Sequence, residues 1–103
     1  MVVPIGDVAY FFTMHKIVFV KDEFNKQMIV DKNLTTLEGT LDPARFIRLN
    51  RKYISAAHAI KQYASVQGKI RVQLQPESGE EVFVSKESAP AFRMWIGQRT
   101  LTH

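Results

Sequence analysis

Between Phe46 and Tyr53 the chain reads F-I-R-L-N-R-K-Y, and its polar residues are the types that hydrogen-bond to nucleic acid. An Arg guanidinium can take guanine O6 and N7 together, an Asn amide can take adenine N6 and N7, and a Lys ammonium suits phosphate or guanine. Strand alternation from Phe46 would place Phe46, Arg48 and Asn50 on one face and Ile47, Leu49 and Arg51 on the other. That register buries an unpaired Arg51 beside leucine, which is costly. The expectation is a strand that ends near Leu49 and a loop that throws Asn50, Arg51 and Lys52 outward. Arg48 suits a phosphate contact and an ion pair with a carboxylate equally well. His15 and Lys16, in the polar stretch T-M-H-K, form a second group of donors.

The charge distribution agrees with this chemistry. The 103 residues carry a net charge of +4, unevenly spread. Residues 1–42 hold four Lys/Arg against six Asp/Glu, residues 43–75 hold seven against none, and residues 76–103 hold three against four. An acid-free basic third within an otherwise acidic chain suits a polyanion, although a plain solvated face would have the same composition.

Catalytic chemistry finds little support. His15, His58 and His103 show no metal-ligand spacing, and cysteine is absent, so zinc ribbons and thiol chemistry are excluded. Glu80 and Glu81 are adjacent, so on a strand they would face opposite sides and could not act as a pair. Five scattered glycines build no phosphate-cradling loop, and no nucleophile elbow occurs. No enzyme activity, cofactor or metal is expected. The apolar runs V-A-Y-F-F and I-V-F-V fall far short of the ~20 residues that cross a bilayer as a helix. The first residues lack the basic and long apolar regions of a signal peptide, which gives a cytoplasmic expectation without membrane contact.

The elements that must position these residues are mostly short strands. Residues 8–12 and 17–20 read as a hairpin whose tip carries His15 and Lys16, and residues 27–30 follow a polar turn over 22–26. Leu34, Leu37 and Leu41, with Asn33 as N-cap, predict a short amphipathic helix. Strands are expected over 46–49, around Tyr53 and Ile54, over 59–65 and 69–75 joined by a turn at Val66-Gln67-Gly68, and over 81–84. Phe92, Trp95 and Ile96 mark a closing helix with Gly97 as its terminal residue; Ser85 could cap it with Pro90 one turn in, while Ser88 as cap puts Pro90 comfortably in the first turn. Tyr53 and Trp95 read as core aromatics, and His58 as a hydrogen-bonded residue at the edge of the core. Periodicity thus predicts a mainly β chain of about eight short strands and two short helices, in one domain over residues 1–103.

Four stretches, in order, resemble the LytTR domain, the DNA-binding output module of many bacterial two-component response regulators. I-G-D-V-A-Y-F-F-T-M-H-K-I-V-F-V is similar to that family's opening strand pair. In the middle region, the family pattern F-x-R-x-[HN]-R-x-[YF]-[IL] is matched by Phe46, Arg48, Asn50, Arg51, Tyr53 and Ile54. A-I-K-Q-Y-A-S-V-Q-G-K-I-R-V-Q-L and V-F-V-S-K-E-S-A-P-A-F-R-M-W-I-G resemble its late hairpin and its closing strand and helix.

The resemblance implies about ten short strands in three packed antiparallel sheets, with double-stranded DNA read through loops. It implies three contact regions: His15 with Lys16; Asn50, Arg51 and Lys52; and Lys86, which follows Ser85. Many members have a second basic residue where this chain has Glu87. It further implies pairs of domains on repeated half-sites in adjacent major grooves, with an upstream receiver domain and its histidine kinase as partners. Two other readings compete. One is an OB-like binder of single strands, which needs exposed aromatics beside the cations. The other is a protein-interaction β domain with no affinity for DNA.

Overall fold

The computed structural model describes residues 3–99. The strands β1 (Val8–Met14), β2 (Ile17–Asp22), β3 (Gln27–Val30), β4 (Phe46–Arg48) and β5 (Tyr53–Ala56) form an antiparallel sheet of order β3-β2-β1-β5-β4. Helix α1 (Leu34–Thr40) connects β3 to β4. Strands β6 (Ile60–Val66), β7 (Lys69–Leu74) and β8 (Val82–Val84) form a second antiparallel sheet in sequential order, and α2 (Ala89–Arg99) follows. The architecture is mainly β, with the eight strands and two helices that periodicity predicts. The ten strands in three sheets implied by the resemblance are eight in two among the described residues, and residues 5–7 and 57–59 each coil into one 3-10 turn.

β1 is central because both of its faces are apolar: Val8, Ala9, Tyr10 and Phe11 are all buried. Phe11 pairs with Ile54 and packs its ring 6.2 Å from that of Phe46. Against this face α1 sets Leu34 and Leu37, the stripe that its sequence spacing predicts. The opposite face carries Tyr10, Phe12, Phe19 and Tyr53, whose ring centroids lie 5.4–6.0 Å apart. The chain between β7 and β8 crosses this aromatic face. There the Tyr10 hydroxyl donates to the Pro76 carbonyl at 2.9 Å, and the Tyr53 hydroxyl donates to Glu80 Oε2 at 3.3 Å. Burial pushes the Tyr10 phenol up to about 12. It raises Tyr53 as well, and the negative charge of Glu80 adds to that rise.

In the second sheet Ile70, Val72 and Leu74 are buried while Lys69, Arg71 and Gln73 are exposed, so the alternation in the sequence becomes one wet and one dry face. The dry face joins Val82, Val84 and Phe92 in a core continuous with that of the first sheet. Trp95 Nε1 donates to the Pro43 carbonyl at 3.0 Å, tying α2 to the segment that leads into β4.

Local signals behave as their chemistry requires, with two exceptions. Asn33 Oδ1 accepts the Thr36 N–H at 2.7 Å and caps α1. Asp22 Oδ1 accepts the Phe24 and Lys26 N–H groups, closing the turn between β2 and β3. α2 begins after Ser88 with Pro90 in its first turn, as expected. Gly97, however, does not end the helix: it has no positive φ, and α2 runs to Arg99, whose guanidinium stacks 4.1 Å above the Trp95 ring. His58 is exposed on a 3-10 turn, because the buried positions of that turn and its flank go to Ala59 and Ala56.

Candidate nucleic-acid interface

The tip of the β1–β2 hairpin is a two-residue turn, His15-Lys16, with φ angles of 53° and 65°. Two consecutive left-handed residues define the turn whose twist matches a hairpin, and its favoured sequence is Asn-Gly. Side chains larger than these are strained there, and the strain persists only where the flanking ladder enforces it. Here the Met14–Ile17 and Thr13–Val18 pairs do so. Both tip side chains are exposed.

The segment after β4 is shaped by its own side chains. Arg48 Nε donates to the Asn50 carbonyl at 2.6 Å, and its terminal nitrogens donate to the Arg51 carbonyl at 3.2 Å and to Glu38 Oε1 of α1 at 2.9 Å. Asn50 Oδ1 accepts the Lys52 and Tyr53 N–H groups at 2.7 and 3.0 Å, while Nδ2 donates to the Phe83 carbonyl of β8 at 2.7 Å. The loop is therefore a framed turn, and the strand ends at Arg48, close to the expected point.

This frame sorts the sequence-derived candidates. Arg51 and Lys52 stand exposed, and the Arg51 guanidinium has no partner among the described residues. Lys52 Nζ lies 3.3 Å from Glu80 Oε2 in an ion pair whose two side chains are half exposed. Of its two expected roles, Arg48 takes the ion pair, and its side chain is only 19% exposed. Asn50 does not swing outward with its neighbours. Its amide is committed to Lys52, Tyr53 and Phe83, which leaves no free acceptor–donor edge for adenine in this geometry.

The third segment begins where β8 ends. The Ser85 N–H donates to the Leu49 carbonyl at 2.9 Å, and Ser85 Oγ accepts the Ser88 N–H at 3.2 Å as the chain turns into α2. Lys86 and Glu87 are exposed. The Thr13 N–H donates to the Lys52 carbonyl at 3.0 Å, which fastens the hairpin tip to the middle loop from the other side. The three regions, remote in sequence, thus adjoin on one margin of the molecule, and His15, Lys16, Arg51 and Lys86 project from it without ion-pair partners among the described residues.

Two residues of this margin are not singled out by the sequence as site residues, although Lys69 belongs to the basic third over 43–75. Lys69 opens β7, and the Ile70–Val84 pair puts it beside Ser85; a tight turn at Gln67-Gly68 followed by antiparallel pairing was the available signal. Glu80 holds both Lys52 and Tyr53, and nothing in its local sequence announces that role. The arrangement offers hydrogen-bond donors and mobile cations for acceptor-rich, negatively charged surfaces. Among the described residues no group of three or more His, Cys, Asp or Glu could hold a metal ion, and no helix is long and apolar enough to cross a membrane.

The family model of the LytTr DNA-binding domain matches residues 1–97. Among solved structures, the LytTr DNA-binding domain described as that of a methyl-accepting/DNA response regulator from Bacillus cereus superposes with a TM-score of 0.80 at 26% identity, covering 92% of this chain and 85% of that one. No curated protein sequence matches. Fold and comparisons together define a β-class DNA-binding domain. The chain belongs to the LytTR family.

Proposed function

We propose that residues 1–103 act as one sequence-specific reader of double-stranded DNA, entering the major groove with loops and serving bacterial transcription control. The observation that carries this reading is the fastening of three donor-bearing segments by two main-chain bonds, Thr13 to Lys52 and Ser85 to Leu49. In this reading Arg51 reads a base edge, His15 and Lys16 approach the groove or its phosphates, and Lys52 and Lys86 contact phosphate. Asn50, placed among the DNA contacts by the resemblance, and Arg48, whose chemistry suits a phosphate or an ion pair equally, serve instead as the frame that aims Arg51. No catalytic step is involved.

The Bacillus cereus relative is described as part of a response regulator. By that likeness we assign this chain the output role in a two-component system of the cytoplasm. An upstream receiver domain and its histidine kinase are the partners, and two copies pair on repeated half-sites. The OB-like alternative needs aromatics standing free beside the cations. The exposed Phe24 lies at the far end of β2 from the hairpin tip, and Tyr63, though 45% exposed, is held edge-on against Phe92 with ring centroids 5.7 Å apart.

Selection from random duplexes tests the proposal directly. A recurrent motif should emerge, bound more tightly than single strands or double-stranded RNA of equal length. With about four phosphates contacted, log K should fall against log salt with a slope near −3 to −4. A flat salt dependence, or preference for oligo-dT over every selected duplex, refutes the reading.

A further inference from the structure

An open cleft of about 470 Å³ lies between the β6–β7 turn, the chain after β8 and the first turns of α2. Lys69, Lys86 and Arg93 line it together with Phe83, Ser85 and Pro90, and none of its lining residues is a carboxylate. The three cations arrive from three separate elements, so their meeting follows from tertiary structure and is invisible in any local stretch of sequence. Their charge is uncompensated: the ion pairs among the described residues are Arg48–Glu38 and Lys52–Glu80, and neither touches the cleft. Lys69 Nζ lies 5.8 Å from the centre of the Phe83 ring, which holds its ammonium over the cleft wall.

The position of the cleft says what would occupy it. Its wall residue Ser85 is bonded to Leu49, and the carbonyl of its wall residue Phe83 is bonded to Asn50, so the cleft directly adjoins the loop that presents Arg51. Its cationic walls are flexible side chains around an open mouth, which suits a strand of polyanion passing across better than a small anion enclosed on all sides. Arg93, on the exposed face of α2, widens the basic margin beyond the three regions described above.

We propose that this cleft seats the sugar–phosphate backbone flanking the base pairs read by Arg51, with Lys69 and Arg93 as anchors that carry affinity and no sequence information. The proposal rests on the DNA-reading function and extends its footprint to a fourth and fifth element, β7 and α2.

The test uses the Lys69→Gln and Arg93→Gln variants, singly and together, titrated against a selected duplex and a scrambled one over a range of salt. Each lost contact should make the slope of log K against log salt shallower by about 1 and weaken both duplexes alike. The ratio of the two affinities should stay unchanged. Lys61→Gln, on the exposed face of β6, serves as the control and should leave the slope at the wild-type value. A second measurement begins with the wild-type chain: duplexes carrying one neutral methylphosphonate linkage, moved stepwise outward from the motif, should show a position where wild-type binding weakens. At that position the double variant should be insensitive. Failure of the wild-type chain to bind any duplex would sink the DNA-reading function itself. A wild-type chain that binds while the double variant keeps its full slope, or loses discrimination between the duplexes, overturns the anchoring role alone.

Discussion

The Asn50 side-chain amide donates to the Phe83 main-chain carbonyl at 2.7 Å, so a loop of the five-stranded sheet hangs on a strand of the three-stranded one. The same amide holds two N–H groups of its own loop. Asn50 and Arg51 are neighbours in sequence with separable duties: Asn50 frames the loop, and Arg51, in the proposed function, reads DNA. Asn50→Ala strands those partners and should cost about 1–3 kcal/mol of stability. Arg51→Ala removes an exposed side chain and should stay within about 0.5 kcal/mol of wild-type stability. On the selected duplex, though, it should lose about 1–3 kcal/mol of binding and relax preference at one base pair. Thermal melts and paired titrations distinguish the two, and equal destabilisation by both variants would place Arg51 in the frame.

Arg48 spans two loop carbonyls and Glu38 at once, which a lysine ammonium cannot reproduce. Arg48→Lys keeps the charge and should nevertheless lower the melting temperature and blunt discrimination between duplexes. Arg48→Gln, which removes the charge, should leave the salt slope at the wild-type value, because no phosphate contact is lost. A slope shallower by about 1 would return Arg48 to the phosphate-binding set.

The His15-Lys16 turn holds two side chains in a backbone region that favours glycine and asparagine. Replacing the pair with Asn-Gly should raise stability by about 1 kcal/mol or more, through relief of that strain. The same change should weaken DNA binding, since it removes both donors from the tip. Denaturant melts and titration on one duplex check both signs; unchanged affinity would leave the tip outside the interface.

The legible part of this molecule is the part governed by short-range chemistry. The hairpin tip, the Asn33 cap and the buried face of β7 follow from residue types a few positions apart. The exposure of Arg51 follows from the cost of burying its charge. Asn50 shows where such reasoning stops: its partner Phe83 lies 33 residues on, in another sheet, so no local pattern could convert an outward-facing reader into a framing residue. Lys69 and Glu80 joined the site for the same reason, through pairing between strands and across a loop. Gly97 marks the converse error, where a good terminating residue lies inside a helix whose last turn is held by Arg99 over Trp95.

Alkaline pH should weaken the hold of Tyr10 and Tyr53 on the chain between β7 and β8. The Tyr10 phenol, normally near 10.0, is raised to about 12 by burial, so the folded chain keeps a proton that the unfolded chain releases. A raised folded value means that its contribution is complete below about pH 10 and is lost as pH climbs towards 12. Stability measured by denaturant should therefore decline over that interval, with Tyr53 adding to the fall because its phenol is raised too. Tyr10→Phe removes one titrating group and should flatten part of the decline, while it lowers stability at neutral pH by about 1 kcal/mol for the lost bond to Pro76. An identical pH profile for the variant would show that Tyr10 is not the group that titrates.

The two bonds that gather the three donor-bearing segments, Thr13 to Lys52 and Ser85 to Leu49, run between main-chain atoms. Such bonds are blind to side-chain identity. Under the proposed function, the side chain at 51 can be exchanged with these bonds left in place, whereas positions 15 and 16 stay limited to residues that tolerate positive φ. If the proposed function holds, duplicated copies of such a domain could diverge towards separate DNA targets by a handful of surface substitutions while the main-chain bonds stay as they are.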